Sequence, residues 1–125
     1  MPKQGEEAEK KVKEFLEKEF GKPFSKQKVV IGKGKKKEFD LVSNDGKIVV
    51  EVKDFKFDNE TTGKSGYSST RKHRLISACC YLAKVHAEKK MLALTNQEIC
   101  EQFKKDMDME QLHPEIEIIY VPMKS

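Results

Sequence analysis

The chain has 125 residues, of which 25 are Lys or Arg and 21 are Asp or Glu, so its formal net charge at pH 7 is +4. This length suits one compact domain over residues 1–125 and leaves no room for a second core. The mild basic excess is compatible with a nucleic-acid partner. No stretch approaches the roughly 18 apolar residues of a membrane span, so no membrane partner is expected.

The cysteines and the start of the chain predict a cytoplasmic protein. Three cysteines, two of them adjacent at Cys79 and Cys80, make a poor disulfide framework and fit a reducing compartment. The N-terminal segment has no apolar core of the kind found in signal peptides. Cysteine and histidine spacing shows neither CxxC nor HxxxH, which argues against a structural zinc site.

The first predicted element is a helix over Glu6 to Phe20. Its apolar residues recur at the spacing of one buried helical stripe, at Ala8, Val12, Phe15, Leu16 and Phe20. Gly21 and Pro23 end it. Glu9 falls at the edge of the stripe and is expected to point towards the body of the protein. The alternative is a surface glutamate paired with Lys13.

A first strand is predicted over Pro23 to Ile31, followed by the most basic local stretch of the chain, GKGKKK at Gly32 to Lys37. Glycines let backbone approach a phosphate, and lysines supply charge that is blind to base sequence. Lys33, Lys35 and Lys36 are therefore candidate contacts to a nucleic-acid backbone. A solvated turn that keeps a sheet edge soluble is the alternative.

Residues 38–53, EFDLVSNDGKIVVEVK, are predicted to form a β-hairpin that turns at Asp45-Gly46, a dipeptide that tolerates positive φ angles. A two-residue turn there places Val42 opposite Val49 and Asp40 opposite Glu51. Alternation then separates a core face from a polar face that carries the acids. The core face comprises Phe39, Leu41, Ile48, Val50 and Val52, and the polar face comprises Glu38, Asp40, Glu51 and Lys53 beside Val42 and Val49.

Two carboxylates directly opposite each other destabilise a sheet, so the pairing of Asp40 with Glu51 needs a reason. A divalent cation such as Mg²⁺ supplies one, because it binds one or two carboxylates together with water and phosphate oxygens. Lys53 lies on the same predicted face and can orient or deprotonate a water or neutralise phosphate charge. The alternative is a solvated face with paired charges, for instance Glu38 with Lys53.

Residues 54–69 lack a sustained period and are predicted as a long loop, which leaves beside the acids and can close over a substrate. A second helix is expected to start at Ser68, Ser69 or Thr70 and to run to about Glu88. Its first turn gathers positive charge, Arg71 and Lys72 included, where the helix dipole disfavours it.

The last predicted elements are a short buried strand over Met91 to Thr95, a helix capped by Asn96 that runs to about Met107, and a final strand over Ile116 to Val121. The complete predicted order is α-β-β-β-α-β-α-β.

The pattern FD, ten residues, then EVK resembles the core signature of the PD-(D/E)XK nuclease superfamily. Asp40, Glu51 and Lys53 match its acid, acid and lysine, while Phe39 replaces the proline, a departure that touches no ligand. The resemblance implies an α/β, restriction-endonuclease-like fold, with an αβββαβ core, a mixed central sheet flanked by helices, and a C-terminal helix and strand added. Within the superfamily, the chain resembles small Holliday-junction-resolvase-like or Mrr-like members.

The same resemblance implies a nuclease dependent on Mg²⁺ or Mn²⁺, with nucleic acid as partner and DNA favoured over RNA. Glu9, Asp40 and Glu51 would hold the metal, directly or through water, and Lys53 would activate or position the attacking water. The pair Gly5 and Glu9 resembles one that the family often carries in its first helix. Many small members act as dimers, so a homodimer is compatible with the resemblance.

In relatives of this kind the helix after the Glu-x-Lys strand starts near the site, so Arg71 or Lys72 would hold a phosphate. The alternative is an ordinary solvated helix end. Two other functions stay open at this stage. One is a nucleic-acid-binding module or assembly subunit that keeps the nuclease fold without turnover. The other is a charge-rich structural protein without a nucleic-acid partner.

Overall fold

A five-stranded mixed sheet lies at the centre of the computed structural model, which describes residues 4–54 and 68–123, with side chains from residue 7 onwards. The elements follow the predicted order: α1 (Gln4–Phe20), β1 (Phe24–Val30), β2 (Lys36–Ser43), β3 (Ile48–Lys53), α2 (Ser69–Ala83), β4 (Lys89–Leu94), α3 (Gln97–Glu110) and β5 (Ile116–Tyr120). Most of the predicted loop over residues 54–69 lies outside the described residues.

The strands lie side by side in chain order, β1-β2-β3-β4-β5. The first three pair antiparallel, whereas β3-β4 and β4-β5 pair parallel. Parallel neighbours need a crossover, which α2 and α3 provide. Two right-handed crossovers that advance in the same direction put both helices on one face of the sheet. The fold is therefore α/β, and of the three described helices α1 lies on the opposite face.

Both faces of the sheet are buried, so the prediction of one core face and one polar face is wrong. The α2 and α3 side packs on Val42, Val49 and Leu92, and the α1 side packs on Val50 and other residues. Central strands of a sheet that is covered by helices on both faces lose the alternation of apolar and polar side chains.

A β-bulge in β2 overturns a second part of the predicted alternation. Ser25 pairs with Val42 and Gln27 with Phe39, so β2 uses three steps where β1 uses two. The extra residue lies at Asp40-Leu41. It puts Phe39 and Val42 in the same cluster under α2 and α3, while Leu41 packs under α1. Bulges bend a strand and re-aim its side chains, here beside an acid.

The hairpin turn keeps the predicted register but not the predicted geometry. Val42 pairs with Val49, as expected. The Gly46 amide donates to the Ser43 carbonyl at 2.9 Å, so Asn44 and Asp45, rather than Asp45 and Gly46, are the central turn residues. Gly46 follows with φ of 74°, which favours glycine. A symmetric four-residue connection leaves the same residues opposite each other as a two-residue one.

The predicted cap Asn96 is confirmed, and of the three candidates at the start of the second helix Ser68 is the cap. The Ser68 hydroxyl accepts a hydrogen bond from the backbone of Arg71 at 3.2 Å, and the Asn96 side chain accepts one from Ile99 at 3.0 Å. The predicted end of the second helix at Glu88 is wrong, because α2 ends at Ala83. Among the described residues, no helix combines the length and apolar character that crossing a bilayer requires.

Ser43 offers a test of the turn. Its hydroxyl is fully buried, donates to Asp45 Oδ1 at 2.7 Å and accepts from the Ile48 amide at 3.0 Å. Ser43→Ala leaves that buried amide unpaired, so we expect the free energy of unfolding to fall by about 1–3 kcal/mol in urea titrations. Ser25→Ala, at an exposed hydroxyl, is the matched control and should change it by no more than about 0.5 kcal/mol. Equal losses in the two variants would contradict this role of Ser43.

Candidate active site

The site begins where β2 and β3 part. Their ladder ends at the pair Leu41 and Val50. Beyond it, the Asp40 amide donates to Glu51 Oε1 at 3.0 Å, and the Val52 amide donates to Asp40 Oδ2 at 2.8 Å. Asp40 and Glu51 are therefore brought together, but not as the predicted backbone pair. Each carboxylate occupies a hydrogen-bonding position on the opposite strand, and the bulge at Asp40-Leu41 provides the room.

Glu51 is the most buried charged group of the site, with 6% of the residue exposed. Its Oε2 lies 3.2 Å from Lys37 Nζ. Burial, and after it the negative charge of Asp40, raise the pKa of Glu51, while the Asp40 amide and Lys37 oppose the rise. The carboxylate is thus held in a place that disfavours its charge, a common property of functional groups.

Glu9 extends from α1 to the other side of Asp40. Burial, followed by repulsion from Asp40, raises the pKa of Glu9, and Lys26 counteracts this. The Glu9 carboxylate pairs with Lys26 Nζ at 3.4 Å, not with Lys13 as the alternative interpretation had it. A cleft of about 480 Å³ opens here, and its lining residues are Glu9, Lys10, Lys13, Ser25, Lys26, Asp40 and Leu41. Acids and lysines share this cleft.

Lys53 lines a second cleft, of about 200 Å³, on the α2 side of the sheet. Glu51 lines the same cleft, as expected for residues two apart on one strand. The described lining residues are Lys37, Glu51, Lys53, Arg74, Ser77, Ala78 and Tyr81. The Asp40-Glu51 pair therefore stands between two clefts, one under each face of the sheet.

The structure places the predicted phosphate contacts of the glycine-lysine loop at different positions. Lys35 and Lys36 line a groove of about 380 Å³ that continues past Lys37 and Tyr81. Lys33 is exposed in the preceding loop.

The two cations at the start of α2 have other positions. Lys72 Nζ lies 3.6 Å from Asp106 Oδ2 and 3.3 Å from Glu110 Oε1, so it ties α2 to α3. The backbone amide of Arg71 completes the helix cap. Among the described residues that line the Glu51 cleft, the cation from α2 is Arg74. Arg71 and Lys72 do not line this cleft.

Three cations of the site were missed from the sequence: Lys26, Lys37 and Arg74. Lys37 was hidden by the bulge, because simple alternation puts it on the face opposite Glu51. A fourth missed feature is Asp54, directly after Lys53. Its Oδ1 accepts from the Thr95 hydroxyl at 2.5 Å, and its buried Oδ2 has no hydrogen-bond partner among the described residues.

The donor chemistry of Asp40 and Glu51 suits a hard divalent cation, since Mg²⁺ binds through one or two carboxylates and fills its other positions with water and phosphate oxygens. Glu9 adds a nearby carboxylate, and burial, followed by repulsion from Asp40, raises its pKa. No group of three or more His, Cys, Asp or Glu side chains is arranged to hold a metal ion within residues 4–54 and 68–123. The fit therefore rests on the pair, with water in the remaining positions.

Comparison with known proteins adds no relative from which a role can be transferred: no protein-family model, curated protein or solved structure matches the chain. The chemistry of the site is therefore argued from its own residues. They are two coupled carboxylates, a third close to Asp40, and cations in both adjoining clefts.

The pH dependence of stability tests the setting of Glu51. Its pKa is raised above the ordinary value of 4.5, so above pH 4.5 the folded chain keeps a proton that the unfolded chain has lost. The free energy of unfolding then falls as pH rises through the window between the two pKa values. Glu51→Gln has no titratable carboxyl group at this position, so its free energy of unfolding does not fall for this reason.

The measurement is made with a chelator present, so that no metal ion is bound. The free energy of unfolding of Glu51→Gln, relative to that of wild type, is expected to increase from below pH 4.5 to neutral pH. The increase should be about 1.4 kcal/mol for each pH unit that separates the pKa of the folded chain from that of the unfolded chain. Urea unfolding at a series of pH values measures this difference. A difference that stays constant or decreases with pH would show that burial and Asp40 do not penalise the charge.

Proposed function

We propose that the chain is a metal-dependent nuclease that hydrolyses phosphodiester bonds in nucleic acid, as an endonuclease acting on DNA. The observation that carries the proposal is the coupling of Asp40 and Glu51 at the parting of β2 and β3, with Lys53 lining the same cleft as Glu51. Two acids and a lysine at this spacing are the residues on which the resemblance to PD-(D/E)XK nucleases depends.

The proposed fold assignment is a restriction-endonuclease-like core with a C-terminal extension. Its support is the element order together with the sheet, in which three antiparallel strands are followed by a parallel β4 after the α2 crossover. The acid-bearing strands β2 and β3 are neighbours near the middle of that sheet. α3 and β5 form the extension.

Asp40 and Glu51 are the proposed metal ligands, and Glu9 would contribute through water. A bound Mg²⁺ or Mn²⁺ would lower the pKa of a coordinated water and offset the charge that develops on the phosphate. The carboxylates would keep their positions through the backbone amides of Asp40 and Val52. Because these bonds fix both side chains, little reorganisation would be needed on loading.

Lys53 is the proposed partner of the attacking water. It would orient that water and neutralise negative charge that develops on the phosphate. Lys37 has a separate role. Its ammonium lies 3.2 Å from Glu51 Oε2 and 4.7 Å from the centre of the Phe39 ring, so it neutralises part of the buried charge. Arg74 lines the same cleft and is the cation of α2 best placed for a phosphate.

The substrate class follows from the cations around the acids. Lys10, Lys13 and Lys26 line the α1 side, and Lys37 and Arg74 line the α2 side. Such contacts bind phosphates without reading bases, so binding should weaken as salt rises. The preference for DNA over RNA is taken from the resemblance.

One observation favours a second candidate, a nucleic-acid-binding module without turnover. Both carboxylates already accept hydrogen bonds from backbone amides, which gives them a structural role without a metal. Such a protein would bind DNA in a salt-dependent way with or without metal. It would cut nothing.

Cleavage assays separate the two candidates. We expect wild type with Mg²⁺ or Mn²⁺ to cut at least one member of a labelled panel of single strand, duplex, flap, four-way junction and RNA. Asp40→Asn, Glu51→Gln and Lys53→Met should each lower the cleavage rate by about 10²–10³-fold. The amide variants keep an oxygen that can accept the bonds from Asp40 and Val52, so the loss would report on charge.

Matched controls are Asp108→Asn and Lys105→Met, at exposed positions of α3. Both should cut at the wild-type rate. If wild type binds the panel but leaves every member intact, the binding module replaces the nuclease. If the three site variants cut as fast as the controls, any cleavage observed comes from another site or a contaminant.

A further inference from the structure

Tyr81 is an exposed aromatic residue on α2 that is surrounded by cations. The residue is 38% exposed. Lys37 Nζ lies 5.3 Å from the centre of its ring and Lys84 Nζ lies 5.5 Å from it. Neither contact buries the ring, and both lysines have flexible stems. An aromatic face is therefore available in a region of positive charge.

Three clefts meet at this ring. One holds Glu51 and Lys53, one holds Lys35 and Lys36, and the third, of about 450 Å³, runs along α2 towards Lys84. Together their described lining residues include one acid, the buried Glu51, and six cations: Lys35, Lys36, Lys37, Lys53, Arg74 and Lys84. The groove is complementary to a polyanion, with an aromatic ring near its centre.

Lys37 connects this groove to the acids. One ammonium group lies 3.2 Å from Glu51 Oε2 and 5.3 Å from the Tyr81 ring centre. A nucleotide whose base lies on Tyr81 would thus have its phosphates beside Lys37 and the Glu51 cleft. Glu51 and the Glu38 carbonyl hold Lys37 in place. The cation-π contact of Lys84 with the ring is weak, and a phosphate oxygen is a stronger partner for its ammonium group than an aromatic face.

The combination of a basic groove and an aromatic platform is how proteins bind single strands without reading sequence, because every unpaired base offers a π face. A base inside a duplex is already stacked on both sides and cannot cover the ring. We propose that Tyr81 is a stacking platform for an unpaired nucleotide, and that single-stranded nucleic acid is bound along the groove past Lys37. The position of the Tyr81 platform beside a scissile bond rests on the proposed nuclease function, whereas the stacking of a base on Tyr81 does not.

The test uses binding in chelator, where no metal-dependent cleavage occurs. The probes are thymine oligonucleotides of about twelve nucleotides, abasic oligonucleotides of equal length, and duplex DNA. Tyr81→Leu should weaken binding of the thymine strand about tenfold and leave the abasic strand within about twofold of wild type, while Tyr81→Phe retains binding. Tyr120→Leu, at a tyrosine that is also 38% exposed, is the control and should bind both strands like wild type.

A second readout does not depend on loss of function. The chain contains no tryptophan, so Tyr81→Trp introduces a single one, which can be excited selectively over the remaining tyrosines. Its emission should be quenched by the thymine strand, and much less by the abasic strand or by duplex, whereas Tyr120→Trp should respond equally weakly to all three probes. Equal quenching by thymine and abasic strands, or equal loss of affinity in Tyr81→Leu and Tyr120→Leu, would overturn the stacking site.

These outcomes are independent of the nuclease proposal. Base-dependent quenching in a protein that cuts nothing would keep the stacking site and remove the nuclease. Cleavage without base-dependent binding would do the reverse.

Discussion

The structure depends on the way Asp40 and Glu51 close the gap between β2 and β3. The bulge ends the regular ladder, and two carboxylates then accept the amides of Asp40 and Val52 at 3.0 and 2.8 Å. An unpaired buried amide lowers the free energy of unfolding, so these hydrogen bonds stabilise the two strands at the point where their regular ladder ends. The same bonds force two negative groups together in the middle of the sheet, where burial raises the pKa of Glu51. The hydrogen bonds that join the two strands are therefore the same ones that place the two negative charges close together.

That arrangement explains the distribution of cations. Lys37 offsets Glu51 from the α2 side, and Lys26 offsets Glu9 from the α1 side. Exposed single ion pairs contribute little to stability, but the Glu51 carboxylate is buried and the Glu9 carboxylate is partly buried. Burial, and after it the negative charge of Asp40, still raises the pKa of both Glu9 and Glu51. A divalent cation would offset the negative charge further, and the lysines would then be available to phosphates. The proposed metal site, phosphate contacts and stacking platform all follow from this one concentration of charge.

Much of this could be predicted from the sequence. Apolar periodicity, capping residues and the Asp-Gly turn signal were sufficient for the element order, the cap Asn96 and the pairing of Val42 with Val49. For the second helix they narrowed the cap to three residues, of which Ser68 is the one used. The bulge could not be predicted, because one extra residue in a strand leaves no local mark and becomes visible only in the pairing of β1 with β2. It moved Phe39 and Lys37 to the face opposite the one that alternation predicts. The ion pairs of Lys72 with α3 were also beyond the sequence, since they depend on how two helices pack.

The most direct test of the account is whether the Asp40-Glu51 pair binds a divalent cation. Titration of the protein with Mn²⁺, followed by the electron paramagnetic resonance of the free ion, measures this without requiring a substrate. Wild type should bind one Mn²⁺, Mg²⁺ should displace it, and both Asp40→Asn and Glu51→Gln should weaken binding at least about tenfold, with Asp108→Asn unchanged. If wild type binds Mn²⁺ no better than the two site variants, the pair is a structural clasp between strands and the nuclease account is wrong.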